Sequence, residues 1–291
     1  MKDLKQSEIN SINAKIRRDK RYKKIIDELY KKNLKRTQRE IERVVSVNSS
    51  DTVSIDDLKS RADADDVDYI EELFEDYKEN DLNYYEKEQI KNTNINKRMS
   101  KLEYLYAFAL LMSFRTSRKE ESNLEKHLRA EIKEEKKRLE GDYGLKNLVL
   151  LPDIIERFYK DKRYSNNIWG NQQDLVSDLK RGIRRSIYNG ENPKKWSKSL
   201  NKNFGKIFKN YTYMANRIAV TETARIQIAY QVDSFTRNEY KRAMWICEPT
   251  ACDLCAPYDG VVFDIDSDHE LPPQHPFCRC SIAPVYEYEN S

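Results

Sequence analysis

Four of the chain's five cysteines and two of its three histidines fall within residues 252–280, CDLCAPYDGVVFDIDSDHELPPQHPFCRC. Cys252 and Cys255 form a C-x2-C pair; His275 and Cys278 form an H-x2-C pair after a nineteen-residue gap, and Cys280 follows. Two such knuckles joined by a hairpin can supply the four soft or borderline ligands of a tetrahedral zinc site. Metal binding energy becomes folding energy, so the ion would staple a sheet too small to hold itself. The spacing therefore predicts one structural Zn2+ on Cys252, Cys255, His275 and Cys278, with Cys280 as the alternative to Cys278. Two other readings stay open: a metal-free reduced cluster held by hairpin packing, and a catalytic centre. A catalytic zinc needs an open position and a nearby base. Asp264, Asp266, Asp268 and Glu270 offer carboxylates, but no ordered motif such as H-E-x-x-H fixes them. Cys247 reads as a small apolar core residue, and His269 as a loop residue.

No other stretch has the order of a catalytic motif: there is no Gly-rich phosphate loop, no G-x-S-x-G and no dinucleotide fingerprint. The expectation is a non-enzyme without a small-molecule substrate. A chain of 291 residues that is 35% charged, with seven glycines and a mean hydropathy of -0.90, suits long solvated helices around a modest core. The start, MKDLKQSEINS, has no apolar h-region, and the longest apolar run, Leu105 to Phe114, is roughly half a membrane span. These features predict a soluble intracellular protein without a membrane span. In a reducing compartment, clustered cysteines bind metal more often than they form disulfides.

Charge is segregated. Residues 1–45 carry 15 Lys and Arg against 7 Asp and Glu, and residues 51–88 carry 4 against 15. Residues 150–245 carry 19 against 9, and residues 246–291 carry 1 against 9. Basic blocks can bind phosphates by counterion release, and interleaved aromatics can stack on bases. The cations read as non-specific DNA contacts are Arg17, Arg18, Lys20, Arg21, Lys23, Lys24, Lys31, Lys32, Lys35 and Arg36, then Arg181, Arg184, Arg185, Lys194 and Lys195. The alternative is a solvated helix face, or basic and acidic blocks pairing with each other.

The elements that must position these residues are mostly helices. Ile12, Ile16, Ile25, Ile26, Leu29, Leu34, Ile41 and Val44 recur at helical spacing, as one helix or a broken pair. SVNSSDTVS marks a turn, and Ile70, Leu73, Phe74 and Tyr77 give the acidic segment an apolar face. Residues 97–140 fit one long helix or a hairpin, with His127 on its charged, surface half, and GDYG ends it. Trp169, Leu175, Leu179, Ile183 and Ile187 lead to NGENP, where Gly190 caps one helix and Pro193 starts the next. A short basic helix and then a long one are expected as far as Arg242. AMWIC, GVVFDI and SIAPVYEY then read as three short strands. The fold expected is mainly α with a small C-terminal β element (α+β): an elongated helical N-terminal part, then a helical domain closed by a short antiparallel sheet with a Cys/His knot. The regions are 1–50 (basic helix), 51–145 (acidic and mixed long helices) and 146–291, the last dividing into helices at 151–242 and the knot at 243–288.

Three stretches carry a family resemblance: IWGNQQDLVSDLKRGIRRSIYNGENPKKWSKSL, RIAVTETARIQIAYQ, and the knot itself. Together, over about residues 165–285, they resemble the phage Mu F-like head morphogenesis proteins, minor head proteins of tailed bacteriophages. Cys252, Cys255, Asp259, Gly260, Pro273, His275, Pro276, Cys278, Arg279 and Cys280 fall on the family signature, and Arg217, Thr221 and Glu222 on its Arg-x-x-x-Thr-Glu pattern. The resemblance implies a virion protein inside the capsid, present in the host cytoplasm during assembly. Its implied partners are the portal protein, the capsid interior and double-stranded DNA, which it would accompany at ejection. A metal-dependent DNA-processing enzyme using the Cys/His site is the rival reading, and a host-side DNA-binding protein a third. Arg217 and Glu222, five apart, do not share a helix face and should meet different partners. Arg279 would orient a thiolate or an acidic loop residue, or lie on the surface.

Overall fold

The computed structural model describes residues 2–46, 55–75, 77, 82–93, 95–160, 163–187 and 193–286. Eight helices occur among them: α1 (Lys2–Ser46), α2 (Ile55–Lys59), α3 (Ala64–Glu75), α4 (Tyr84–Lys91), α5 (Lys101–Asp142), α6 (Leu151–Lys160), α7 (Arg163–Ile187) and α8 (Pro193–Arg237). Three strands follow: β1 (Arg242–Ile246), β2 (Val262–Asp264) and β3 (Ser281–Val285). They form one antiparallel sheet in the order β2-β1-β3. The mainly helical fold with a small C-terminal sheet is the one read from the sequence. No described helix is long and apolar enough to cross a membrane.

Of the alternatives left open by the sequence, the first segment is one helix rather than a broken pair, and residues 101–142 are one helix rather than a hairpin. Other elements differ from expectation. The short and long helices expected after Pro193 are one continuous helix, α8. Glycine weakens a helix interior by about 1 kcal/mol, and the 45-residue α8 absorbs that at Gly205. Ile25, placed on the apolar face, is 51% exposed, while Ile12, Ile26, Ile41 and Val44 are buried. The turn at SVNSSDTVS and the Gly190 cap lie outside the described residues.

The chain packs as two compact units that interleave along the sequence: residues 1–25, 121–166 and 215–291 form the first, and residues 26–120 and 167–214 the second. In the first unit, Ile9, Ile12 and Ile16 of α1 pack on Met244, Ile246, Ala283 and Val285 of the sheet. The seam between α1 and α5 is charged as well as apolar. Arg18 makes two bonds to buried Glu131 (2.5 and 2.8 Å), and Arg138 bridges Glu8 (2.7 Å) and Glu135. From α8, Gln227 donates to Glu131 (3.2 Å); Gln231 donates to Glu135 (2.7 Å) and to Ser281 of β3 (3.0 Å). Each of these buried carboxylates thereby has at least one donor, the condition under which buried charge is tolerated, although Glu8 Oε2 has none among the described residues.

In the second unit, Trp169 is fully buried, stacked on Tyr85 at 6.2 Å and tilted against Phe114. Asn83 and Glu86 form a reciprocal capping box that starts α4. Glu86, fully buried, also takes two bonds from Arg118 (2.6 and 2.8 Å). At Gly182 a Cβ would lie 3.1 Å from the Phe204 ring, so glycine lets α7 and α8 approach closely. Asn33 of α1 donates to Thr116 (2.8 Å) and to the Met112 carbonyl of α5.

Candidate metal centre

The centre is built around β1. Ala243, Met244, Trp245 and Ile246 are all buried, and Trp245 stacks on Tyr258 with ring centroids 4.8 Å apart. The chain then turns through Cys247 and Glu248 into the first knuckle, where the Cys255 and Ala256 amides donate to the Cys252 carbonyl at 3.0 and 2.9 Å. A short 3-10 turn, Ala256–Tyr258, leads to Asp259 and Gly260. Gly260 has φ +82°, a left-handed conformation that favours glycine, and its amide donates to the Trp245 carbonyl at 2.8 Å. The Asp259 carboxylate accepts from the Cys247 amide (3.0 Å) and from Lys5 Nζ (2.6 Å). Asp259 and Gly260 thus close the hairpin that carries the chain from the first knuckle into β2.

The second knuckle is fastened from two sides. Thr221 of α8 accepts from the Phe277 amide at 3.2 Å while its own hydroxyl donates to the Arg217 carbonyl at 2.7 Å. Arg279 reaches Asp19 of α1 at 2.6 Å, and its amide donates to Glu248 at 3.2 Å. Arg279 therefore orients neither a thiolate nor a residue of the acidic loop: its side chain spans to the N-terminal helix. Arg217 is exposed, whereas Glu222 is buried and pairs with Arg225 at 2.8 Å. Pro273 is half-buried after a cis Pro272-Pro273 bond, and Pro276 is exposed.

The sulfur and imidazole groups converge. Cys252, Cys255 and His275 place their ligating atoms within 4.8 Å of one another, as do Cys255, Cys278 and Cys280. Cys255 belongs to both sets. Its Sγ lies 3.8 Å from that of Cys278, and Cys252 Sγ lies 3.0 Å from His275 Nε2. His275 Nδ1 is 2.8 Å from the Pro276 carbonyl oxygen. A carbonyl can only accept, so Nδ1 carries the proton and Nε2 presents its lone pair to Cys252, the tautomer a metal ligand needs. With Zn–S bonds of about 2.3 Å, two thiolates on a tetrahedral ion lie about 3.8 Å apart, which is the Cys255–Cys278 separation. The Cys252–His275 pair is closer than the edge of such a tetrahedron and would open by about half an ångström. The donor types and the imidazole tautomer are those zinc takes, but the ligating atoms of Cys252, Cys255, His275 and Cys278 do not all lie within 4.8 Å of one another, so the two triads that share Cys255 would have to draw together around one ion.

The thiol acidities follow from the same geometry. Burial, then the Cys278 thiol, push Cys255 up to about 12, and the Cys280 thiol, then burial, push Cys278 higher still. Exposed Cys252 is shifted down, first by the Cys255 amide. A cation at the centre would reverse the cost of ionising the buried pair, because a coordinating thiol is deprotonated outright. Cys247 is buried, as read from the sequence, and its thiol is shifted up by burial. Asp264, Asp266, Asp268 and Glu270 are exposed. His269 is on their loop but packs against Phe263 (4.5 Å), Trp245 and Tyr258.

The cations read as DNA contacts divide by environment. Arg17, Lys20, Arg21, Lys23, Lys24, Lys32, Lys35, Arg36, Arg184 and Arg185 are exposed. Arg18 is engaged by Glu131; exposed Lys31 and Arg181 lie 3.5 and 3.2 Å from Glu28 and Asp178 of their own helices. Lys194 and Lys195 belong to α8, but their side chains lie outside the described residues. His127, expected at the surface, is largely covered: it stacks on Tyr22 at 4.5 Å and lies 3.9 Å from Asp19. Reading the sequence missed Asp19 as the partner of Arg279. Its signal was a charged residue at a core spacing of α1, between Ile12 and Ile26.

No curated protein and no solved structure matches the chain. Residues 177–283, more than a third of the chain, match the family described as Phage Mu protein F like protein. From within α7 through both knuckles to β3, this chain carries a Phage Mu F-like region.

Proposed function

We propose that the protein is a noncatalytic minor head protein of a tailed phage, acting in head morphogenesis inside the capsid near the portal. Supporting this reading is the family match, which ends on the two Cys/His knuckles and the helix that fastens them. In this role the chain would contact the portal and capsid interior, bind packaged DNA without sequence preference and accompany it at ejection. Exposed cations such as Lys20, Arg21 and Lys24 would meet phosphates by counterion release. Deleting the gene from the phage that encodes it, followed by electron microscopy of lysates, tests the role. The expected result is aberrant or non-infectious heads; normal yields of infectious particles without the protein would overturn it.

Within that role the Cys/His centre holds one structural zinc on Cys252, Cys255, His275 and Cys278, with Cys280 as the alternative ligand. Zinc here supplies folding energy rather than chemistry: it joins the first knuckle, continuous with β1, to the second, continuous with β3. Native mass spectrometry with and without a chelator should show one zinc per chain and a melting temperature that falls on chelation. A zinc-free chain with an unchanged melting curve would leave a packed, reduced hairpin. Cys252→Ser adds a second readout. Without metal, substituting this exposed thiol changes stability by no more than about 0.5 kcal/mol; with metal, it lowers both zinc occupancy and the melting temperature.

A further inference from the structure

Of the five cysteines, Cys252 alone is exposed; Cys247, Cys255, Cys278 and Cys280 are buried. The exposed sulfur is connected to the buried ones, because Cys252 and Cys255 share one triad with His275, while Cys255, Cys278 and Cys280 form the other. Within each triad the ligating atoms are at most 4.8 Å apart, and the Cys255 and Cys278 sulfurs are separated by 3.8 Å, near van der Waals contact. The sulfurs therefore form a continuous path from the surface, through Cys255, to the second knuckle. Cys247 is in neither triad, and its thiol donates to the Cys255 carbonyl at 3.0 Å.

We infer that the metal-free centre is a thiol–disulfide exchange site, oxidised by a small-molecule disulfide such as glutathione disulfide, with a Cys255–Cys278 bond as the end product. Cys252 is the sulfur a dissolved disulfide can reach, and access helps decide which thiol reacts. In the first step the Cys252 sulfur bonds to one glutathione sulfur, and the other glutathione leaves with the Cys252 proton. Cys255 then attacks the Cys252 sulfur, and the second glutathione leaves with the Cys255 proton. Finally Cys278 attacks the Cys255 sulfur, and its proton passes to Cys252, whose thiol is restored. Two electrons have moved from Cys255 and Cys278 to one glutathione disulfide, which becomes two thiols. Two features favour the last step. The Cys255–Cys278 bond joins positions 23 residues apart, against three for Cys252–Cys255, and a longer loop constrains the unfolded chain more. Both of its sulfurs are also buried, which shields the bond from attack by a glutathione thiol. The bond would join the knuckles as an ion does, and the two exclude each other because both use the Cys255 and Cys278 sulfurs. Disulfides persist outside cells and are rare in the cytosol. That the bond forms in released particles rests on the proposed virion role, whereas the exchange chemistry does not.

The test holds the chelator-treated full chain in glutathione buffers of increasing oxidised fraction, denatures it in N-ethylmaleimide, and cuts it with Asp-N and trypsin without reduction. These cuts separate Cys252 from Cys255 and Cys278 from Cys280, so mass spectrometry reads each pairing. Wild type should show transient glutathione on Cys252, then a peptide linked through Cys255 and Cys278 with Cys252 alkylated. Cys252→Ser, checked for folding by circular dichroism, should form that link at least about tenfold more slowly, because the accessible sulfur is gone. Linkage in this variant at the wild-type rate overturns the inference. So does a Cys252–Cys255 or Cys278–Cys280 disulfide as the end product in wild type, or alkylation of all five cysteines in the most oxidising buffer. A chain that binds zinc but stays reduced when stripped of it leaves the zinc reading standing and sinks this one; a chain that takes no zinc yet forms the link does the reverse.

Discussion

The Cys/His hairpin and the α1–α5 seam of the first unit are both polar constructions inside a small core, but they are specified differently. In the hairpin the reactive groups are grouped by local spacing: Cys252 with Cys255, His275 with Cys278 and Cys280. In the seam, Glu8 meets Arg138 and Arg18 meets Glu131 across 130 and 113 residues of sequence. The hairpin brings together thiols that a cation would hold. The seam buries carboxylates that guanidinium groups and glutamine amides already answer, with Glu8 Oε2 left without a donor among the described residues. A knot of ligand-type residues thus marks a site, whereas buried charge marks a site only when its partners are missing.

The comparison breaks most visibly at Arg138. Arg138→Met leaves Glu8 and Glu135 buried without their guanidinium partner, and removing one member of a buried pair costs about 3–5 kcal/mol. Urea unfolding should show that loss; a change under about 1 kcal/mol would mean water reaches the seam. Acid should then act on the seam. Burial alone would raise Glu135, but the Arg138 and Lys15 charges and hydrogen bonds from Arg138 and Gln231 outweigh it and hold its carboxyl down to about 2. An unfolded glutamate titrates near 4.3, so this stability is complete above that pH and is lost as pH falls through the folded value. Asp19 adds to the same window: burial raises it, yet the nearby His127 imidazole and the Arg279 guanidinium bonded to it leave it depressed. Melting temperatures measured from neutral pH to about pH 2 should fall most steeply below about pH 4. Glu135→Gln should be less stable at pH 7 and flatter in acid; an unchanged acid profile would remove Glu135 from this account.

Smaller changes sharpen the hairpin side. Thr221→Val deletes the acceptor of the Phe277 amide, worth about 1 kcal/mol, and should loosen the second knuckle first. Amide exchange at Phe277 and Cys278 that matches wild type would show that α8 does not fasten the knuckle. Lys5→Ala breaks the Lys5–Asp259 pair, whose members are 42% and 35% exposed, and should change stability by no more than about 0.5 kcal/mol. Thermal unfolding in low and high salt checks it, because an exposed pair that matters would weaken with screening.

Much of the architecture was legible locally. The three strands, the Asp259-Gly260 turn and the start of α8 at Pro193 follow from β-branched runs and from glycine and proline chemistry. α8 is longer than the sequence suggests, because packing, which supplies most helical stability in a protein, joins the short and long helices read there into one. His127 went to the surface on its charged neighbours, yet in the folded chain Tyr22 and Asp19 cover it.

By itself the sequence determined the helical periodicity, the strand runs and the spacing that groups Cys252, Cys255, His275 and Cys278, since each depends on residues a few positions apart. Only tertiary structure decided which charges became partners. It sent Arg279 to Asp19 and buried Glu135 beneath Arg138 and Gln231. The physical reason is that a charge's energy depends on the dielectric around it and on the distance to its partner. Both are properties of the folded neighbourhood, which in these helices is assembled from segments a hundred or more residues apart.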